Sequence, residues 1–158
     1  MLFGYTLHQQ AKCNIYHLRK IHSLLNYIYH EIQFIHRPLQ EILELYEKQT
    51  NGVYQSWIHD LIEEKRRTGK SMQECWENQT RKHFSSRQCP KNILETLLEI
   101  GESLSCTDCK QQEKILQYLQ DEVEKKLENI KKEEEEKGRL YYPISMIVGL
   151  LFVVMLFS

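Results

Sequence analysis

The chain has 158 residues, 41% hydrophobic and 27% charged, which is enough for one domain with a buried core and too little for two. Lys and Arg number 21 against 22 Asp and Glu, so the formal charge of -1 supplies no field that would gather nucleic acid. With only six Gly and three Pro, and regions rich in Leu, Ile, Glu, Lys and Gln, the composition argues against a turn-rich β fold and predicts an all-α protein.

Residues 1–7 are apolar but far shorter than the roughly 15 to 30 residues of a signal peptide, and they read as a stub, the remnant of a membrane helix. From Ile15 the apolar residues Leu18, Ile21, Leu25, Ile28, Ile32 and Ile35 recur at steps of three and four, which predicts a long first helix. Pro38 lacks an amide hydrogen and disfavours helical geometry at Arg37, so this helix should stop near His36. A second helix should begin at Pro38, with Leu39, Ile42, Leu43 and Tyr46 on its apolar face.

Asn51-Gly52 signals a turn, and Val53, Trp57, Ile58, Leu61 and Ile62 predict a third helix that ends in the cations Lys65, Arg66 and Arg67. Gly69 breaks the chain. Ser71-Met72-Gln73-Glu74 has the pattern of a capping box and opens a fourth helix carrying Met72, Cys75 and Trp76. Cys89-Pro90 opens a fifth, with Ile93, Leu94, Leu97, Leu98, Ile100 and Leu104. Thr107 or Asp108 caps the last and longest helix, whose face is Leu116, Leu119, Val123, Leu127 and Ile130.

The run Lys131 to Lys137 has no apolar face, and residues 131–139 read as a charged helical linker. Leu140 to Phe157 carries no charged residue, and 140–158 is expected to be a transmembrane anchor with Tyr141 and Tyr142 at its entry. Lys131, Lys132, Lys137 and Arg139 would hold the preceding domain on the cytosolic side. The expected architecture is therefore a compact bundle of about six helices over residues 8–130 in the cytosol, followed by a C-terminal transmembrane helix in the cell membrane.

Five cysteines (Cys13, Cys75, Cys89, Cys106 and Cys109), with no signal peptide, suggest reduced thiols rather than a disulfide framework. Cys106-Thr107-Asp108-Cys109 is the sharpest local pattern, since two thiolates at that spacing can chelate a metal or form a redox pair. Structural zinc needs two further ligands, and the His17/His22 and His30/His36 spacings put those pairs on different helical faces. Cys106 and Cys109 are thus metal candidates on one reading and ordinary loop and first-turn residues on the other. A nucleophile of the Cys75 and His83 kind lacks an accompanying elbow or phosphate-cradling glycine loop, so no enzyme, cofactor or small-molecule substrate is expected. Lys65, Arg66, Arg67 and Lys70 could meet an acidic partner or lipid headgroups, or form a solvated helix end.

Several blocks, read in order, carry a family likeness: Glu31-Ile32 with Pro38-Leu39, then Gly69 and Ser71 leading to Trp76, then Leu98-x-x-Gly101-x-x-Leu104 with Asp108 and Gln112, and Lys137 before the terminal apolar segment with Gly149. In these the chain resembles the stage III sporulation protein AB family from about Tyr5 to its C-terminus. The resemblance implies a membrane-anchored scaffolding component of the complex built between mother cell and forespore. Its helical domain would be similar to that of the type II secretion inner-membrane platform protein, and its partners would be other proteins of the complex, the ATPase among them. Ser105 stands where the family has a glycine, and Cys106 and Cys109 match no block of the family. Trp57, Trp76, Leu98 and Gly101 are expected to pack, with Gly101 letting two helices approach closely. The competing readings are a tail-anchored metal or thiol-redox module and a generic membrane-anchored coiled-coil adaptor.

Overall fold

The computed structural model describes residues 2–86, 89–105 and 109–157, with side chains described for 8–86, 89–105, 110–136, 144 and 146–157. Among the described residues there are six α-helices, one π-helical turn and no strand. The helices are α1 (Leu2–His30), α2 (Leu39–Glu47), α3 (Gly52–Thr68), α4 (Met72–Phe84), α5 (Lys91–Leu104) and α6 (Cys109–Phe157), with the π turn at Glu31–Ile35.

The first and last helices pair, although they lie at opposite ends of the chain. His8 meets Glu134 at 3.1 Å, Gln120 donates to Asn26 at 2.7 Å, and Gln117 donates to the Tyr29 hydroxyl at 2.8 Å. One number rises as the other falls, so α1 and α6 run antiparallel, and Glu134 of the charged segment still has α1 beside it. Between them lie Leu18, Ile21, Leu25 and Ile28 from α1 and Leu116, Leu119, Val123 and Leu127 from α6, all buried. The shorter helices form a serial layer, α2 on α3, α3 on α4 and α4 on α5, which closes back on the long pair through α2 with α1 and through α5 with α1 and α6.

Local chemistry sets the breaks. Ser71 caps α4, its hydroxyl accepting the Glu74 amide at 3.3 Å. Gly69 ends α3 at φ 69°, where its amide closes on the Lys65 carbonyl at 3.0 Å, and a side chain would disfavour that left-handed geometry. The first helix departs from the sequence expectation at its end. Its last five residues widen into a π turn, which shifts the phase of the side chains. Ile32 stays buried, but Ile35, expected on the apolar face, is 51% exposed.

The transmembrane helix expected over 140–158 is not supported, and the expected single-pass membrane localisation and membrane contact through 140–157 fall with it. Among the described residues, no helix is long and apolar enough to cross a membrane. α6 itself continues to Phe157.

Candidate functional site

Of the residues quoted above, Trp76, Leu98 and Gly101 meet at one place, and Ile32, Pro38, Leu39, Leu104 and Gln112 meet at another. The first is the junction of α4 with α5. Trp76, 2% exposed, donates its indole N–H to the Leu97 carbonyl at 2.7 Å and stands edge-on to Trp57 at 4.7 Å. Trp57 is fully buried and donates to the Thr80 hydroxyl at 3.2 Å. Gly101 lies directly under the Trp76 ring, and Leu98 lies beside it on the wall of a cavity of about 320 Å³. Two tryptophans with both indole N–H groups satisfied make this a rigid packing centre.

The second place is the end of the bundle where the π turn meets the start of α6. Ile32, Leu39 and Leu104 give an apolar floor to a cavity of about 310 Å³, edged by His36, Arg37, Pro38 and Gln112. Gln112 donates to the Leu104 carbonyl at 3.2 Å and so satisfies one free end of α5. Glu31 and Arg37 meet across the turn at 3.0 Å, and Arg37 also reaches Glu41 at 3.7 Å. His36 holds the left-handed conformation, φ 58°, with its amide returning to the Glu31 carbonyl. A non-glycine residue there stores strain. The turn presents Phe34, 68% exposed and stacked on His30 at 5.5 Å, together with Ile35. An aromatic and an aliphatic side chain held out beside an ion pair suit protein contact better than chemistry on a small molecule.

The basic group is drawn largely into internal pairs. Arg66 meets Glu44 at 3.0 Å and Glu63 at 3.8 Å, while Lys70 reaches Glu64 at 3.9 Å. Lys65 is half-buried and Arg67 is exposed on the rim of a cavity that Glu64 also lines. Glu64 is itself buried and accepts from Asn78 at 3.2 Å and Gln79 at 2.8 Å. Burial alone would raise its carboxyl, but the bonds from Gln79 and Asn78 and the charges of Lys70 and Arg67 outweigh that and hold it below the usual carboxylate value.

Cys106, Thr107 and Asp108 lie outside the described residues, as does the Cys109 side chain, so the metal reading of that pair has no geometry. Among the described residues, no group of three or more His, Cys, Asp or Glu side chains is placed to hold a metal. Cys75 and His83 are eight residues apart on α4, about 12 Å along its axis, too far for a hydrogen bond. Cys75 is fully buried, its thiol pushed up by burial and then by the Glu64 charge, whereas His83 meets Asp60 at 2.8 Å. Sequence reasoning missed the π turn, the strained His36 and the buried Glu64. For His36 the signal was present in the pre-proline dipeptide His36-Arg37, which forces the chain out of helix with no glycine to absorb the turn.

Compared with known proteins, the chain is matched by the family model for stage III sporulation protein AB over residues 1–157. No curated protein and no solved structure matches it.

Proposed function

The chain belongs to the stage III sporulation protein AB family, and on that premise we propose that it is a structural assembly component of the mother cell to forespore complex, acting by protein contact. The carrying observation is the π turn, which holds Phe34 and Ile35 at 68% and 51% exposure. Large apolar side chains fixed in water by a strained turn lose little entropy on docking, which is what a scaffolding contact requires. The partners in this reading are other proteins of the stage III complex, with its ATPase the first to test.

The test combines Phe34→Ser with Ile35→Ser in the full chain. Both side chains are exposed, so stability should stay within about 0.5 kcal/mol of the parent. Co-purification with the ATPase and other stage III proteins from sporulating cells should be lost, and spore yield with it. Unchanged co-purification and spore yield would refute this assignment of the surface.

A further inference from the structure

From the junction of three helices we infer that His17 is a pH-sensitive latch, whose protonation releases the corner of α3 and α4 from α1. The imidazole is 7% exposed, and its Nδ1 lies 2.8 Å from the hydroxyl of Tyr54, which is 1% exposed on α3. Phe84, the last residue of α4, packs edge-on to the same imidazole at 6.1 Å. Tyr54 and Phe84 both pack on Trp57, at 6.2 and 5.5 Å, so one imidazole ties α1 to the aromatic centre of the α3–α4 pair.

The site can accept the proton geometrically but not electrostatically. When His17 is neutral, the Tyr54 hydroxyl can donate to Nδ1. When Nδ1 is protonated, the same hydroxyl can accept from it and turn its own hydrogen to the His17 carbonyl, 3.4 Å away. The hydrogen bond therefore survives, and what remains is a cation in a dry site.

Among the described residues, the groups in contact with the imidazole or with Tyr54 do not neutralise it. From α1 they are Tyr16 and, one turn on, Lys20, which carries the same sign of charge and is bonded to Asn51 at 3.0 Å. From α3 and α4 they are Tyr54 and Phe84. The thiols of Cys13 and Cys89 lie beside Tyr54, and burial pushes that of Cys89 up to about 11, so it stays neutral. None of these is a carboxylate; on α5, Lys91 and Glu95, opposite in charge, line the cavity that Phe84 walls.

Burial holds the His17 imidazole below its ordinary 6.5. The unfolded or opened form therefore takes up a proton first as pH falls. The latch is closed above pH 6.5 and is increasingly driven open below it, where hydration of the charge favours separation of the corner from α1. Phe84 also walls a cavity of about 440 Å³ at the start of the α4–α5 connection, so release moves that wall.

The experiment follows tryptophan emission and amide exchange of the full chain from pH 8 to pH 5. A transition with its midpoint below pH 6.5 is expected, since Trp57 packs on both rings that the imidazole holds, and the His17 ring protons should titrate with the same midpoint by NMR. His17→Phe, which keeps a buried ring without a proton site, should lose the transition, and Tyr54→Phe should keep it. No change down to pH 5, a His17 midpoint at or above 6.5, or an unaltered transition in His17→Phe would each overturn the latch. The ring-proton titration needs only the parent chain and decides the matter even if His17→Phe fails to fold.

Discussion

Gly101 and Trp76 touch so closely that the glycine has no room for one more carbon: a Cβ on residue 101 would stand 2.1 Å from Trp76 Cδ1 and 2.6 Å from its ring nitrogen. In an exposed helix, Gly→Ala stabilises by about 1 kcal/mol. Here the added methyl must displace an indole that is locked to the Leu97 carbonyl and wedged against Trp57. Gly101→Ala should therefore reverse the usual sign and destabilise the chain by about 1 to 3 kcal/mol in urea unfolding. A gain in stability would show that the two helices separate without cost.

Trp76→Ala should cost about 3 to 5 kcal/mol, the range for emptying a large aromatic site. Trp76→Phe should cost less, while leaving the Leu97 carbonyl without its indole donor and opening space above residue 101. Gly101→Ala should then be tolerated better in the Trp76→Phe background than in the parent. A double-mutant cycle by thermal unfolding measures this coupling, and strict additivity would mean that the two residues do not share the space.

His36→Gly should stabilise the fold by about 1 kcal/mol, because glycine occupies the left-handed region without the clash that a Cβ makes. The denaturation midpoint should rise with an unchanged slope. If the strained turn serves docking, this substitution should also weaken co-purification with the stage III proteins, since the turn would then sample more conformations.

Glu64 should make acid stability measurable at one residue. Its folded carboxyl titrates below the ordinary 4.5, so the stability it contributes is present above that value and is lost as pH falls through the lower folded value. Glu64→Gln should lower stability at pH 7, where the carboxylate accepts from Asn78 and Gln79, and should flatten the loss of stability below pH 4.5. Denaturant melts of both proteins across pH 7 to 3 test this, and parallel curves would remove Glu64 from the account.

Much of this was legible in the sequence because it is local. The three-four spacing from Leu18 to Ile28 and from Leu116 to Leu127, the serine cap at Ser71, the stops at Pro38 and Gly69 and the family likeness need only neighbours along the chain to act. Period and capping fix helices because the hydrogen bonds and side-chain rows of a helix span no more than a few residues.

Tertiary structure decided the rest. It paired α1 with α6, placed Trp76 over Gly101 and drew Lys70 and Arg66 into pairs with Glu64 and Glu44. It turned Ile35 out to solvent through the π turn and brought His17 to Tyr54, 37 positions away. Among the described residues it gave no helix long and apolar enough to cross a membrane, where composition alone had answered differently. Contacts of this kind depend on which helix faces which, and that is chosen by the fit of the whole core, where a single ring or methylene changes the energy by a kilocalorie or more while leaving the spacing in the sequence untouched.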